Sequence, residues 1–330
     1  MFFGHITGTG SAVPERILSN ADLETFIDTS DEWITRRSGI KERRIARVQA
    51  DESTTDLAAK AARSAMDEAG VRAEDLDVII VATVTADRPV PSAACMVQMA
   101  LEANNATAYD ISAGCSGFIY ALEAANNAIR CGSAETILVI GSERLSSIVN
   151  WQDRSTCVLL GDGAGAVVLK KKAEAGGILT THTRSDGRLW DLLYSEDTNT
   201  YLPDLLHDVD LKAFHLKMEG NRLFKQAVGH MATIAEQALR ANKLGREDIN
   251  LVIPHQANMR IIQAVSEKLD IPMTRFYTNL HKYGNTSAAS IPIAMDEANR
   301  KALLKKDSHV LLVSFGAGLT WGSSIIRWTI

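Results

Sequence analysis

The sequence predicts an α/β fold with mainly parallel sheets, organised as two similar halves. Short apolar runs rich in β-branched residues alternate with helical stretches along the chain, which is typical of strands joined by covering helices. A layout of helix, polar turn and strand found in the first half recurs in the second. No Pro-, Gly- or Ser-rich linker divides the chain.

Strands are expected where apolar, β-branched residues form short runs, as they do in buried parallel sheets. These runs are 77–83, 108–111, 136–140, 251–253 and 310–313. Helices are expected at 55–69, 117–129, 223–239 and 287–304. Regular alternation of the two favours parallel pairing, because parallel strands need a long crossover between them.

The internal repeat sets the expected domain boundaries. Residues 65–80 leave a helix, cross a polar turn and enter a strand, and residues 238–253 repeat that order. Later, the glycine-rich run 161–165 precedes an apolar strand, as 316–318 does near the C-terminus. The repeat predicts halves at 1–175 and 176–330, with the alternative that two unrelated strand–helix units look alike.

Composition excludes several classes of protein. The 330 residues carry a formal charge of −5 without a basic block, which is unfavourable for nucleic-acid binding. No apolar run approaches the ~18–20 residues of a membrane span, and no secretory signal is visible. Four cysteines without a CxxC pair indicate a reducing, cytoplasmic compartment and no structural zinc or other metal site. At least three of them are expected to be small buried apolar residues.

Cys115 is the first candidate for chemistry. It lies in the small-residue run 112–117, between a predicted strand and a predicted helix. Backbone N–H groups and the positive end of the helix are expected there, and both favour a thiolate. Cys115 is therefore a candidate nucleophile. The alternative is an ordinary buried cysteine, which is the interpretation given to Cys95.

His255 and Asn285 are the other candidates. His255 directly follows the predicted strand 251–253, where α/β sheets place their ligands. Asn285 lies in another small-residue turn before a helix. From the residues alone, Asn285 is either a functional amide or the cap of that helix.

The segments around Cys115, His255 and Asn285 resemble those of the β-ketoacyl-acyl-carrier-protein synthase III family. The resemblance spans essentially the whole chain and includes 29–34, 39–43, 161–166 and 316–322. It implies the thiolase fold, in which two similar halves pack as five layers (αβαβα), and a homodimer. It also implies that fatty-acid synthesis is initiated by this chain, without a metal or redox cofactor.

The resemblance also implies a mechanism. Cys115 attacks an acyl-CoA thioester and forms an acyl-enzyme. Malonyl-acyl-carrier protein then loses carbon dioxide, and the resulting carbanion attacks the acyl group. His255 and Asn285 donate hydrogen bonds to the malonyl thioester oxygen, while the backbone N–H groups of Cys115 and Gly318 form an oxyanion hole.

Binding residues follow from the same resemblance. Residues expected to contact CoA are Trp33 and Arg154 at the adenine, Arg37 and Arg260 near the phosphates and pantetheine entrance, and Gly220, Asn221 and Asn258 along the pantetheine arm. Residues expected to contact the acidic carrier protein are Lys225, Gln256, Arg260 and Lys268.

Two departures from the family pattern are expected to matter. Val90 stands where many members carry an aromatic residue, at the dimer interface beside the acyl pocket, so primers beyond acetyl-CoA are hypothesised to be accepted. Residues 190–215 form a longer segment than usual. Its acidic clusters at 196–197 and 208–210 predict a solvated loop that could shape the pocket.

The residue pattern also bears on alternative functions within and outside the family. A degradative thiolase needs a second cysteine near its C-terminal glycine loop, and no cysteine lies beyond Cys157. Chain-elongating condensing enzymes carry a second histidine where Asn285 stands. A specialised condensing enzyme of secondary metabolism stays open. A cysteine-dependent α/β-hydrolase thioesterase, with His255 as base, would require an acidic partner for the histidine and no duplicated halves.

Overall fold

The structure, a computed structural model, describes residues 2–47, 49–197, 203–207 and 214–330. Within these ranges the strands are β1 (Phe3–Ala12), β2 (Ile17–Ser19), β3 (Glu42–Arg44), β4 (Val78–Ala82), β5 (Thr107–Ile111), β6 (Thr136–Arg144), β7 (Asp162–Lys172), β8 (Gly177–Ser185), β9 (Leu193–Asp197), β10 (Phe214–Met218), β11 (Ile249–Pro254), β12 (His309–Gly316) and β13 (Thr320–Arg327). The helices are α1 (Asn20–Leu23), α2 (Asp31–Ser38), α3 (Thr54–Ala69), α4 (Ala93–Leu101), α5 (Gly117–Cys131), α6 (Gly220–Asn242), α7 (Met259–Leu269), α8 (Leu280–Tyr283) and α9 (Ser290–Arg300).

Two sheets organise the molecule. The first has the strand order β1-β7-β6-β4-β5 and the second has the order β11-β12-β13-β8. Parallel pairing is confined to β6-β4-β5 and to β11-β12, and the remaining pairs are antiparallel. The prediction of mainly parallel sheets is therefore wrong. A short turn joins β12 to β13, and a connection of that length allows only antiparallel pairing.

Helices cover both sheets and fill the space between them. Helices α5 and α9 contact strands of both sheets and form the central layer. Helices α3 and α4 cover the outer face of the first sheet, whereas α6 and α7 cover the second. The resulting order is helix, sheet, helix, sheet, helix, which is the five-layered arrangement that the resemblance implied.

Close packing of α3 on β1 depends on small residues on both elements. Helix α3 turns the buried side chains of Ala58, Ala61 and Ala65 towards the sheet. A Cβ atom built on Gly8 of β1 would lie 2.2 Å from the Ala65 carbonyl oxygen, and one on Gly10 would lie 2.3 Å from that of Ala61. Glycine is required at both positions because the strand approaches the helix backbone directly.

The predicted elements are present with shifted ends. The strand predicted at 136–140 continues to Arg144, and the helix predicted at 223–239 begins earlier, at Gly220. The helix predicted at 287–304 is divided: a 3₁₀ turn covers Ser287–Ala289 and α9 begins only at Ser290. That division places three polar side chains, those of Asn285, Ser287 and Ser290, on one turn of irregular backbone.

Cysteine burial differs from the prediction. Only Cys157 is fully buried among the four, Cys95 and Cys115 are half-buried, and Cys131 is exposed. The expectation of at least three buried cysteines is wrong, because Cys131 ends α5 on the molecular surface and Cys95 and Cys115 each keep part of their surface exposed.

Residues 190–215 are not simply a solvated loop. Strands β9 and β10 pair antiparallel, from Leu193 opposite Met218 to Asp197 opposite Phe214, and form a separate hairpin. The acidic cluster 208–210 lies outside the described residues, so the prediction for it is untested.

The division into halves at 175/176 stays a proposal. It is supported by the sheets, since every strand of the first sheet ends by Lys172 and every strand of the second begins at or after Gly177.

None of the helices among the described residues is long and apolar enough to cross a bilayer.

Candidate active site

A cavity of about 290 Å³ opens between the two halves and brings the three predicted residues together. Cys115, His255 and Asn285 all line it. Each comes from a different part of the sequence: the turn after β5, the end of β11 and the turn before α9. The fold therefore brings all three residues to the wall of one cavity.

Glycines bring the Cys115 turn against the turn that follows β12. Cys115 lies in the 3₁₀ turn Gly114–Ser116, immediately before α5. A Cβ atom on Gly316 would lie 2.5 Å from the Cys115 backbone nitrogen. Gly114 has a φ of +54°, and a Cβ atom there would lie 2.8 Å from the Ala317 nitrogen. Glycine at both positions lets the two backbones touch and fixes the direction of the cysteine.

The Cys115 thiol is protonated at rest. Burial is the main cause that raises its pKa, to about 11, and the nearby Glu143 carboxylate acts in the same direction. The expectation that the helix end makes Cys115 a thiolate is therefore wrong, because loss of solvent outweighs the helix end. Attack by this sulfur requires a group that takes its proton.

His255 is held as a neutral imidazole. Its backbone nitrogen donates to the Val313 carbonyl oxygen at 2.8 Å, and its ring Nδ1 lies 2.7 Å from Ser290 Oγ. Burial lowers the pKa of His255 to about 3. The Ser290 hydroxyl also accepts from the Gln256 backbone N–H at 3.4 Å. Its own hydrogen is then free to point at Nδ1, an assignment that puts the ring proton on Nε2.

Asn285 is fixed by its own loop. Its backbone N–H donates to the Leu159 carbonyl oxygen at 2.8 Å, and its carbonyl oxygen accepts from the Gly161 N–H at 3.0 Å. The side-chain oxygen accepts from the Ser287 N–H at 2.8 Å. This bond settles which amide atom is oxygen and leaves the NH₂ group as the donor. Asn285 is not the cap of α9, which begins after Ala289; its oxygen holds the preceding turn, and its side chain lines the cavity.

The rest of the cavity wall is largely apolar, and most of its residues were not predicted from the sequence. It is formed by Val84, Leu145, Ile148, Leu159, Leu160, Leu193, Leu216, Met218, Leu223, Phe224, Ala227, Met231, Ile261 and Phe315. The β9–β10 hairpin supplies Leu193, Leu216 and Met218. The spacing of Leu216 and Met218, two residues apart, is the strand signal that could have revealed this wall.

Trp33 lies between two arginines. The Arg37 guanidinium carbon is 4.9 Å from the centre of the indole ring, and that of Arg154 is 5.1 Å away. Arg154 also donates to the Asp28 carbonyl oxygen at 2.8 Å. The structure therefore brings together three residues that the resemblance assigned to CoA.

The other residues assigned to CoA lie near the cavity mouth. Gly220 and Asn258 line the cavity, and Asn221 is exposed beside Gly220. Asn258 caps α7 and donates to the Arg37 carbonyl oxygen at 3.0 Å. The Arg260 guanidinium lies 5.7 Å from the centre of the Phe224 ring. These contacts join the cavity mouth to the Trp33 region.

Gln256 was expected to contact the carrier protein, and the structure contradicts this expectation. It is buried, and its amide donates to the carbonyl oxygens of Pro254 and Tyr277 and accepts from the Asn279 N–H. It is occupied in holding the loop after β11 and presents nothing to a partner. Lys225, Arg260 and Lys268 are exposed on α6 and α7, as a docking surface requires.

Two other residues with an expected role, Val90 and Gly318, do not line the cavity of their own chain. Val90 is 81% exposed and is not part of the wall, which contains Val84 instead. Gly316 and Ala317 line the cavity, whereas Gly318, assigned to the oxyanion hole, does not. Across the described ranges, no group of three or more His, Cys, Asp or Glu residues is placed to hold a metal ion.

Comparison with known proteins identifies the family of this chain. The family model described as 3-oxoacyl-[acyl-carrier-protein] synthase III matches residues 109–187, and the model of the C-terminal part of that enzyme matches residues 239–328. A β-ketoacyl-[acyl-carrier-protein] synthase III from Caldanaerobacter subterraneus is 51% identical over 324 residues, covering 98% of this chain and 97% of the relative.

Solved structures show the same likeness. The 3-oxoacyl-[acyl-carrier-protein] synthase III from Aquifex aeolicus has a TM-score of 0.91 at 46% identity and covers 98% of this chain and 100% of its own. The priming β-ketosynthase of the R1128 polyketide pathway has a TM-score of 0.90 at 33% identity and covers 99% and 96%. The chain has the thiolase-like fold and belongs to the β-ketoacyl-acyl-carrier-protein synthase III family.

Proposed function

We propose that the protein condenses an acyl-CoA primer, with acetyl-CoA as the simplest case, with malonyl-acyl-carrier protein. The products are a β-ketoacyl-acyl-carrier protein, CoA and carbon dioxide, and the reaction initiates fatty-acid synthesis. The observation that carries this proposal is the meeting of Cys115, His255 and Asn285 on one largely apolar cavity. A thiol, a neutral imidazole and an amide are the groups that this two-stage reaction needs.

In the first stage the Cys115 sulfur attacks the thioester carbon of the primer. CoA leaves and the acyl group stays on the cysteine. The backbone N–H groups beside Cys115, from its own turn and from the turn after β12, are the candidates for stabilising the tetrahedral oxyanion. The apolar wall accepts the acyl chain, since burial of its CH₂ groups is favourable.

In the second stage malonyl-acyl-carrier protein loses carbon dioxide and negative charge develops on its thioester oxygen. His255 Nε2–H and the Asn285 NH₂ group stabilise that charge. With a pKa near 3, His255 is neutral at working pH, so it donates a hydrogen bond without protonating the carbanion. The carbanion carbon then attacks the acyl group on Cys115, the bond to the cysteine sulfur breaks, and Cys115 is released as a thiolate that takes up a proton from solvent.

CoA is proposed to bind along the route from Trp33 to the cavity. Indole and guanidinium groups can stack on the faces of the adenine ring of CoA, and the guanidinium groups can also pair with the CoA phosphates. Asn258 and Gly220 line the path between the nucleotide and the cysteine. No other cofactor is invoked by the proposed chemistry.

The proposed partners are malonyl-acyl-carrier protein and a second copy of the chain. Lys225, Arg260 and Lys268 place positive charge near the cavity mouth, which suits an acidic carrier. The edge strand β5 and its surroundings expose Tyr109, Met99 and Val90. An exposed strand edge flanked by apolar side chains supports a homodimer through this face.

The thioesterase alternative is contradicted by the family match and disfavoured by the histidine. A hydrolytic triad orients its histidine with a carboxylate. Here the partner of His255 Nδ1 is the hydroxyl of Ser290. Without an acidic partner, a histidine whose pKa is near 3 is a poor general base.

The decisive experiment separates the two stages. The protein is incubated with acyl-CoAs of increasing length, the acyl adduct on Cys115 is measured by mass spectrometry, and malonyl-acyl-carrier protein is then added. Cys115→Ser should lose the adduct. His255→Ala and Asn285→Ala should keep it but decarboxylate ~10²–10³-fold more slowly. Normal condensation by either of these two variants would contradict the assigned roles, and reaction with acetyl-CoA alone would reject the hypothesis of longer primers.

A further inference from the structure

The Gln256 side chain joins the two segments that carry the proposed donors of the second stage. Gln256 directly follows His255 and is 1% exposed. Its amide nitrogen donates to the Pro254 carbonyl oxygen at 2.8 Å and to the Tyr277 carbonyl oxygen at 3.2 Å. Its amide oxygen accepts from the Asn279 N–H at 3.0 Å. Both amide hydrogens and the oxygen are thus used, and this pattern fixes which amide atom is nitrogen.

Two partners of this amide flank residue 278, which is the hydrogen-bond pattern of a parallel strand pair. In that pattern a residue donates its N–H to the carbonyl oxygen before the opposite residue and accepts from the N–H after it. Gln256 does the same with Tyr277 and Asn279, but it uses its side-chain amide instead of its backbone. The side chain therefore replaces a peptide group and adds one further link to the pairing of β11.

The backbone pairing that Gln256 extends ends at Val252. Val252 of β11 forms an isolated parallel bridge with Phe276, and the Tyr277 N–H donates to the Val252 carbonyl oxygen at 2.9 Å. Beyond this bridge the His255 N–H donates to β12 instead, on the other side of β11. The Gln256 amide supplies the next link between β11 and the segment that begins at Tyr277.

That segment is also held from its far side. Asn279 Nδ2 donates to Glu297 Oε2 on α9 at 2.9 Å, and the Tyr277 hydroxyl donates to the same oxygen at 3.1 Å. The segment is therefore clamped between β11, through Gln256, and α9, through Glu297. From it the chain passes through α8 directly to Asn285.

We propose that Gln256 is a positioning residue for the decarboxylation of malonyl-acyl-carrier protein. Its amide fixes the spacing between the loop of His255 and the segment of Asn285, so that both donors reach the same thioester oxygen. The proposal rests on the proposed function of these two donors. Gln256 is not among the residues of the cavity wall, so it acts through the two segments that it joins.

The spacing of the two donors matters for the second stage and not for the first. During decarboxylation charge develops on one oxygen, and a hydrogen bond to it weakens steeply when the donor moves out of line. An error in spacing leaves one donor out of reach. Acylation of Cys115 depends instead on the turns after β5 and β12, and the three bonds of the Gln256 amide do not reach them.

An amide suits this position because it is neutral and carries both donors and an acceptor. An ionised carboxylate can only accept, so Glu in the same place would face two carbonyl oxygens without a hydrogen. A protonated carboxyl group carries one O–H donor and one acceptor oxygen, which is enough to restore the bonds to Tyr277 and Asn279. The substitution Gln256→Glu therefore makes the link depend on pH.

The titratable and charged side chains that surround the joined segments are also present in the wild-type protein. They are His255, Tyr277, His281, Lys282, Glu297 and Lys301. Burial lowers the pKa of His255 to about 3, and it also lowers the pKa of His281. Burial raises the pKa of Glu297, but hydrogen bonds from Asn279 and Lys282 outweigh it and leave this pKa below its usual value. A pH dependence found only in Gln256→Glu therefore belongs to the introduced carboxyl group.

The test compares Gln256→Glu, Gln256→Met and the control Gln98→Glu. Met keeps the length of the side chain and removes the donors and the acceptor. Gln98 on α4 is a matched control, because its amide nitrogen also donates to two backbone carbonyl oxygens, those of Ala103 at 3.3 Å and Ala106 at 2.7 Å. Decarboxylation of malonyl-acyl-carrier protein is measured from pH 5 to 9 with each substitution in a Cys115→Ala background. Acylation of Cys115 by acetyl-CoA is measured with each substitution alone.

Gln256→Met should slow decarboxylation by ~10-fold or more at every pH, because a misplaced donor is costly, and should acylate at the wild-type rate. Gln256→Glu should decarboxylate near the rate of Cys115→Ala alone at pH 5, where burial keeps its carboxyl group protonated, and as slowly as Gln256→Met at pH 9. Returning the sample to pH 5 should restore the rate, and acylation at pH 9 should equal that of the wild type, which shows that the chain stays folded. Gln98→Glu should keep both rates and a flat decarboxylation profile.

Three results would overturn the proposal. An undiminished decarboxylation rate in Gln256→Met would show that the amide does not set the spacing. A flat pH profile in Gln256→Glu would show that the bonds to Tyr277 and Asn279 do not control the rate. Equal losses of acylation and decarboxylation would assign Gln256 to general stability. Absence of decarboxylation in Cys115→Ala and of condensation in the wild type would instead refute the proposed function, so the two failures are distinguishable.

Discussion

Cys115 and His255 occupy comparable places, each in the segment that follows a strand and lines the cavity, yet burial affects their chemistry differently. Loss of solvent favours the neutral form of both groups: it raises the pKa of the thiol to about 11 and lowers that of the imidazole to about 3. For the histidine the neutral form is the working form. For the cysteine it is the resting form, from which a proton must be removed. The same dry environment therefore completes one site and leaves the other in need of a proton acceptor.

The largest expected effect comes from disturbing the cysteine side alone. Gly316→Ala would place a Cβ atom 2.5 Å from the Cys115 nitrogen and so displace the nucleophile. A displacement of that kind costs roughly 10²-fold in rate, so acylation of Cys115 should fall by about that factor. Single-turnover acylation measured by mass spectrometry checks it. Gly187→Ala, where a Cβ atom has open space, is the control and should acylate normally.

The histidine side should respond to Ser290→Ala. The substitution removes the hydroxyl 2.7 Å from Nδ1, so the ring proton is no longer directed to Nε2. We expect decarboxylation of malonyl-acyl-carrier protein to slow by about tenfold, as for loss of one positioning hydrogen bond, while Cys115 acylates at the normal rate. Ser290→Thr, which restores a hydroxyl, should recover part of the loss. Equal slowing of both stages would break the comparison.

A smaller effect is expected at the nucleotide end of the site. Trp33→Ala removes a ring that lies about 5 Å from two guanidinium groups. A cation–π or stacking contact at an exposed site is worth about 0.5–1 kcal/mol. The KM for acyl-CoA should therefore rise about two- to fivefold. Phe26→Leu, which alters an aromatic residue packed on Trp151 instead, should leave this KM unchanged.

The last prediction is that the rate of decarboxylation does not change with pH. Because the pKa of His255 is lowered to about 3, its imidazole stays neutral from pH 5 to 8. Decarboxylation in a Cys115→Ala background should then be flat over that range. A loss of rate as pH falls through 6.5 would show that the histidine titrates normally and is not buried as described.

The reacting groups were predictable from the sequence because each lies in a local pattern. Cys115 and Asn285 sit in turns of small residues, and His255 follows an apolar strand, so local patterns made them candidates, whereas the family resemblance assigned their roles. The buried acid Glu143, whose charge acts on Cys115, has no such pattern. A charged residue at the end of an apolar run normally marks the exposed end of a strand, and only the tertiary fold shows that β6 continues into the interior.

Errors in the sequence prediction have the same origin. Gln256 adjoins His255, but its side chain is held by backbone groups that include those of Tyr277 and Asn279, from a segment more than twenty residues away. The antiparallel pairs of both sheets could not be predicted, because the sequence alone does not show which strands are neighbours in the sheet. The thiol was expected to ionise because helix ends are visible in sequence, whereas loss of solvent is a property of the assembled molecule.

The β9–β10 hairpin has a consequence for how specificity can evolve. Its strands pair only with each other among the described residues, yet they supply part of the cavity wall that is proposed to accept the acyl chain. Substitutions at Leu193 or Leu216 can change the space offered to a substrate tail while Cys115, His255 and Asn285 stay on their own loops. Chain-length preference and bond-making chemistry are thus inherited on separate pieces of polypeptide, and one can drift without loss of the other.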